Sequence, residues 1–206
     1  MVTLPTVKST PTREWTKQVF LMIGAGKVGK SAFWAQGNKT LFLDFEGGLN
    51  HLAVLKSPCR SWADFIEVCG ELYKASKNPA AFPYDTLVID TVDKMVDRAN
   101  EEVIELAKEK FPKMADRING IGDVPEGVGW FMATSLISNT LDKLRQFPAA
   151  LVLISHISAK EISDGVRKYN KDTISIGGQT GTKILHMVDH TLHIRARMAG
   201  DKIERM

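Results

Sequence analysis

Val19-Phe20-Leu21-Met22-Ile23-Gly24-Ala25-Gly26-Lys27-Val28-Gly29-Lys30-Ser31-Ala32 is the stretch that decides the fold. Its five leading apolar residues have no polar interruption and predict a strand buried on both faces, and the glycine-rich segment behind them leads into a helix start. Gly24, Gly29, Lys30 and Ser31 match the spacing G-x-x-x-x-G-K-S. Glycines at those places let successive backbone N–H groups turn inward around an anion, and the following helix adds its positive end. Lys30 would then meet the β- and γ-phosphates of a nucleotide as a point charge, and the Ser31 hydroxyl is placed to ligate Mg2+. Lys27 reads equally well as a solvated loop charge or as a phosphate contact.

Outward from this segment, Leu41-Phe42-Leu43, Leu87-Val88-Ile89 and Leu151-Val152-Leu153-Ile154 are further short apolar runs. Amphipathic stretches at residues 61–77, 93–110 and 129–145 lie between or behind them, the first opening with Ser61-x-x-Asp64. Alternating strand and helix predicts an α/β fold with a mostly parallel sheet flanked by helices. Residues 111–129 hold prolines and glycines enough to break a helix and are expected to form a loop. A helix over residues 180–187 and a strand over residues 191–197 are expected near the end. Residues 1–14, rich in Thr and Pro, are expected to form a flexible arm, with residues 15–206 as one domain.

The 206 residues are 44% hydrophobic and 25% charged, an ordinary globular composition. No apolar run is long enough to span a bilayer and no leader-like start is present, so a cytoplasmic protein without membrane contact is expected. Cys59 and Cys69 fit neither a CxxC pair nor a zinc ligand set. Residues 156–206 carry nine Lys and Arg against six Asp and Glu, so the whole net charge of +3 lies in the last quarter of the chain.

Polar residues directly after buried strands mark where an open α/β sheet binds its ligand. Asp90 follows Leu87-Val88-Ile89 and would hold Mg2+ together with Ser31. Asp44 and Glu46 follow Leu41-Phe42-Leu43; Glu46, further out, is the candidate base that orients an attacking water. His156 follows Leu151 to Ser155 and could reach a terminal phosphate. His186 and His190 lack a third metal ligand.

The glycine-rich motif, Asp44-Phe45-Glu46-Gly47-Gly48-Leu49, the strand ending at Asp90 and Leu153-Ile154-Ser155-His156, in this order, resemble the RecA-like P-loop ATPases, most closely the small phage-type proteins that assist single-strand annealing and recombination. The resemblance covers nearly the whole chain after Trp15. It implies ATP and Mg2+ as cofactors, with Gly24, Ala25, Gly26, Lys27, Val28, Gly29, Lys30, Ser31 and Ala32 around the ATP. It also implies a sheet of order 5-1-4-3-2, and catalytic roles for Lys30, Glu46, Asp90 and His156, the last as a γ-phosphate sensor. The segments at residues 111–129 and 157–178 fall where the family has DNA-binding loops. By that resemblance Lys160, Arg167, Lys168 and Lys171 would line single-stranded DNA, with Tyr169 available to stack on a base.

The family's filament-forming members carry basic residues on a hairpin after the last strand, acting on a neighbour's ATP. With Met206 as the last residue no such hairpin is expected to be completed, so either Arg195 or Arg197 is the candidate for that trans-acting role or the chain is truncated. The expected partners are single-stranded DNA, further copies of the chain in a ring or filament, and a single-strand binding protein. Two rival readings remain open at this point: a regulatory ATP switch acting on a protein partner, and a small-molecule P-loop kinase, although residues 111–129 offer only Lys113 and Arg117 as lid cations.

Overall fold

A computed structural model describes residues 6, 14–163, 165, 167–199 and 202–205, without the side chains of residues 162, 169, 197–199 and 202–205. The expected arm over residues 1–14 thus lies, apart from Thr6 and Glu14, outside the described residues. In chain order the elements are β1 (Val19–Gly24), α1 (Lys30–Trp34), β2 (Thr40–Asp44), β3 (Leu55–Pro58), α2 (Trp62–Ser76), β4 (Thr86–Asp90), α3 (Val92–Lys110), α4 (Val128–Leu144), β5 (Ala150–Ser163), β6 (Lys168–Ile174), α5 (Gly178–Met187), β7 (His190–Ile194), β8 (Ala196–Ala199) and β9 (Lys202–Arg205).

Six strands form a parallel sheet in the order β3-β2-β4-β5-β1-β7, with β6 pairing antiparallel to β5. Counting β1, β2, β4, β5 and β7 as strands one to five, the order is the expected 5-1-4-3-2, with β3 added outside β2. Period-two alternation splits the apolar runs between two faces. Val19, Leu21, Ile23, Leu87, Ile89, Leu151 and Leu153 join one large core with residues of α2, α3, α4 and α5, while Phe42, Val88, Val152 and Ile154 form a smaller one with Phe20 and Trp34. Both faces of the central strands are covered, so their runs are apolar without interruption. Helix α2 begins at a capping box in which Asp64 N–H donates to Ser61 Oγ and Ser61 N–H donates to the Asp64 carboxylate, each at 3.1 Å. None of the described helices is long and apolar enough to cross a membrane.

Three expectations need correction. Residues 111–129 are not a structureless loop. They contain three short 3-10 helices (Pro112–Arg117, Ile121–Asp123 and Pro125–Gly127), and Ile118, Ile121 and Val124 are buried against neighbours from α3 and α4. Residues 157–178 are not a loop either: β5 continues nine residues past Ile154 and pairs with β6 from Ile157↔Ile174 to Ser163↔Lys168, building a two-stranded arm. A terminal hairpin is also complete, since β8 and β9 pair antiparallel from Ala196↔Arg205 to Ala199↔Lys202.

Candidate nucleotide site

Register brings the strand ends together. Gly24 pairs with His156 on one side and Ile194 on the other, Asp44 pairs with Asp90, and Asp90 with Ile154. Gly24, Asp44, Asp90 and His156 therefore share the carboxyl edge of the parallel sheet, where the crossovers leave a crevice.

The turn after β1 needs glycine at two points. A Cβ on Gly24 would stand 2.7 Å from Ile194 Cγ2 and 2.8 Å from the Ile194 carbonyl oxygen, so only glycine lets β7 close on the strand end. Gly29 sits at φ 102°, a left-handed conformation that side chains disfavour. Lys27 is also left-handed, at φ 62°. The Lys30 side chain folds back under this turn, its ammonium donating to the Gly24 and Ala25 carbonyls at 3.0 and 2.9 Å, and the residue is only 7% exposed. Burial lowers its pKa, opposed by the negative field of Asp90, Glu46 and Asp93. The lysine is thus a cation fixed beneath the loop rather than a solvent-facing charge.

Next to it, Ser31 Oγ donates to Asp90 Oδ2 at 2.6 Å. Burial pushes the Asp90 carboxyl above the usual carboxylate range; the Ser31 bond opposes this, and the nearby Glu46 and Asp44 add to it. A hydroxyl and a carboxylate in contact are hard oxygen donors, the set that suits Mg2+ completed by phosphate oxygens and water. Such an ion, when bound, would neutralise charge on the transferring phosphate. Among the described residues there is no cluster of three or more His, Cys, Asp or Glu side chains that could hold a metal without a nucleotide.

Asp44 is buried and spent on the turn after β2, where its Oδ1 accepts from Gly47 N–H at 2.7 Å. The Phe45 and Glu46 N–H groups both donate to the Asp90 carbonyl, at 2.8 and 3.3 Å. That locks the turn to β4 and leaves the exposed Glu46 beside Asp90 and Lys30, with a carboxylate open to water. Of Asp44 and Glu46, Glu46 is the one whose carboxylate is not committed to that turn.

Asp93 was not singled out in the sequence and belongs to the same cluster. It accepts from Ser155 Oγ at 3.1 Å on Oδ1 and from His156 N–H at 3.1 Å on Oδ2, and His156 Nδ1 lies 3.8 Å from Oδ2. Burial raises its pKa, opposed by the His156 and Ser155 bonds. Only the adjacency of β4 and β5 reveals this role; the available signal was an acidic residue three positions after Asp90, in the first turn of a helix already capped by Thr91.

Two cavities flank the glycine-rich turn. One of about 470 Å3 runs along Gly29, Ala32, Phe33 and Gln36 against β7, and one of about 420 Å3 lies between residues 25–28, Asp172 and Arg195. Both fall in the size range of small-molecule sites.

The candidate DNA residues lie apart from this cluster, on the arm. Lys160 and Lys171 are exposed and directly opposite each other, Arg167 is exposed near the tip, and Lys168 pairs with Glu161 at 2.9 Å. Tyr169 pairs through its backbone with Ile162, and its side chain lies outside the described ones. Arg195 is engaged within its own chain, its Nη2 2.9 Å from Asp172 Oδ2; Arg197 sits in β8 opposite Glu204, its side chain outside those described.

A P-loop strand flanked by strands from both halves of the sheet, with Lys30, Ser31, Asp90 and Glu46 converging, defines a nucleoside-triphosphatase core. The chain matches the AAA domain family over residues 16–206 and belongs to that family of P-loop ATPase domains. It is also similar to the SPbeta prophage-derived uncharacterized protein YorG of Bacillus subtilis (strain 168), 35% identical over 89 residues. That match covers 43% of this chain and 27% of the relative's length.

Proposed function

We propose that the protein is an ATP-dependent, single-stranded-DNA-binding ATPase that assists homologous recombination or strand annealing. It would work as a homo-oligomer, with a single-strand binding protein as a further partner. Lys30 and the backbone of residues 24–32 take the phosphates, Ser31 and Asp90 take Mg2+, and Glu46 orients the attacking water. The observation that carries the DNA half of this reading is the continuity of β5. One strand runs from His156 at the nucleotide site to Lys160, which faces Lys171 across the arm. Like charges directly opposite in an antiparallel pair are unfavourable unless an anion lies over them, and a phosphate backbone is such an anion. Its phage-related similarity agrees with this reading.

A second reading, an ATP switch acting on a protein partner, draws on Trp130 and Phe131 at the start of α4, which are 57% and 66% exposed. Anisotropy of a labelled oligo(dT), measured with ATP, with ADP and without nucleotide at several salt concentrations, separates the two. Affinity should be higher with ATP and fall with salt by about 0.7 logarithmic units of K per unit of log salt for each phosphate contact. No ATP-dependent, salt-sensitive binding at all would leave the protein switch as the better account.

A further inference from the structure

Strand β5 changes partners within three residues. Its last pairing with β4 is at Ile154, its last with β1 is at His156, and its first with β6 is at Ile157. Residues 155 and 156 are therefore the joint at which the strand leaves the sheet and becomes the arm. Both are held by one carboxylate. Asp93 receives the Ser155 hydroxyl on Oδ1 and the His156 N–H on Oδ2, with the imidazole Nδ1 3.8 Å from Oδ2.

The helix does not need Asp93 for its own start, because the Thr91 side chain accepts from Lys94 N–H. A half-buried carboxylate that accepts from a neighbouring strand requires a reason beyond capping, since partial loss of water is costly for the charge. Asp93 also adds to the negative field at Lys30, so the carboxylate that holds the joint is felt at the phosphate cradle as well.

We propose that Asp93 is a positioning residue for His156: its carboxylate fixes the backbone and the imidazole at the joint, so that a change at the terminal phosphate is passed to the arm. The proposal rests on the reading above in which His156 faces that phosphate. Asp93 itself touches neither nucleotide nor DNA; it acts through the histidine.

Asp93→Asn is the informative variant. An amide oxygen can still accept from His156 N–H, and its NH2 can donate to the Ser155 hydroxyl, which accepts as well as it donates. The bonds to the Ser155 hydroxyl and the His156 N–H are kept, while the charge beside Nδ1 is removed and the imidazole is free to shift. ATP affinity should stay within about two-fold while kcat falls roughly ten-fold, the order expected when a group is displaced rather than deleted. The ring resonances of His156 should shift while those of the other histidines stay in place. In a His156→Ala background the same substitution should have no further effect on kcat.

A raised KM with unchanged kcat, or a loss that multiplies with that of His156→Ala, overturns the proposal. If Asp93→Asn melts too low for kinetics, Ser155→Ala removes one contact and leaves the carboxylate; kcat should fall about two- to three-fold at constant KM, and a change in KM alone again overturns it. A His156→Ala protein turning over at the wild-type rate, beside an inactive Lys30→Ala, defeats the reading of His156 and this proposal with it, while the ATPase assignment stands. A slow His156→Ala with independent losses at Asp93 defeats this proposal alone.

Discussion

The carboxyl ends of the strands gather acids, with Asp90, Glu46 and Asp93 around one cation and Asp44 beside Asp90, whereas the arm gathers lysines, with Lys160 directly across from Lys171. Both regions crowd like charges, yet in different media. Asp90 is 3% exposed and Lys30 7%, so their charges are poorly screened and their pKa values move. Lys160 and Lys171 stand in water, whose high dielectric constant, with dissolved salt, weakens their repulsion. The same crowding is therefore a strong constraint at the strand ends and a weak one on the arm, and substitutions in the two regions should differ in magnitude accordingly.

The largest effect belongs to Lys30→Ala, which removes the cation that, among the described residues, is buried beside those acids. Turnover should fall by about a thousand-fold or more, the scale of losing a fixed charge against the developing transition state, and ATP should no longer raise the melting temperature. Glu46→Gln comes next. It leaves the buried cluster intact and removes an exposed carboxylate, so ATP should bind normally while single-turnover hydrolysis slows by roughly a hundred-fold. If turnover is unchanged, the base lies elsewhere. Asp44 is then a poor substitute, because its carboxylate is already committed to Gly47 N–H.

The two regions also differed in how well the sequence revealed them. At the strand ends, burial on both faces writes itself as apolar runs, and polar residues follow them where the crevice lies; Glu46, Asp90 and His156 were singled out that way, and Gly24, Lys30 and Ser31 by the glycine-rich spacing. Asp93 was missed because its contacts depend on which strands are neighbours, which no local pattern states. The arm was missed as structure because β5 and β6 beyond Ile157 are held by each other rather than by the core, and Ser158-Ala159-Lys160-Glu161 carries no strong alternation. Edge strand β3 was missed because, at the margin of the sheet, it buries too little to show an apolar run, with Leu55 52% exposed. The segment at residues 111–129 did carry a readable signal. Ile118, Ile121 and Val124 recur every third residue and are all buried, an apolar repeat that a solvated loop would not need, though the prolines and glycines obscured it.

Asp90→Asn tests the buried half of the comparison through stability instead of rate. Burial raises the Asp90 pKa, so the folded state holds that proton more tightly than the unfolded chain does. Stability arising from this group is then lost as pH rises through and above the ordinary carboxylate range, near about 4. At neutral pH the nucleotide-free fold carries that cost, which a neutral amide that can still accept from Ser31 removes. A gain of about 1 kcal/mol would appear as a rise of roughly 2–4 °C in melting temperature, largest at neutral pH and vanishing in acid, while Mg2+-dependent stabilisation by ATP disappears. A lower melting temperature at neutral pH would mean that Asp90 is worth more as the Ser31 acceptor than its charge costs.

Lys160→Glu applies the same logic to the exposed half, and its effect on stability should be the smallest. The substitution sets an acid opposite Lys171 and turns an unfavourable cross-strand pair into a favourable one, for a change of a few tenths of a kcal/mol up to about 1. Global melting should barely move, so the measurement is amide exchange along β5 and β6 beyond Ile157, which should slow. Binding should go the other way: one phosphate contact is lost and an acid added, so oligo(dT) affinity falls and the salt slope drops by about 0.7. Adding Lys171→Glu restores like charges of the opposite sign. Exchange should return to the wild-type rate or faster, while DNA affinity stays low, because the repulsion depends on matching signs and the binding on positive ones. If Lys160→Glu instead speeds exchange, the two lysines are not opposed across the arm in solution, and the charge pair that supports the DNA reading is absent.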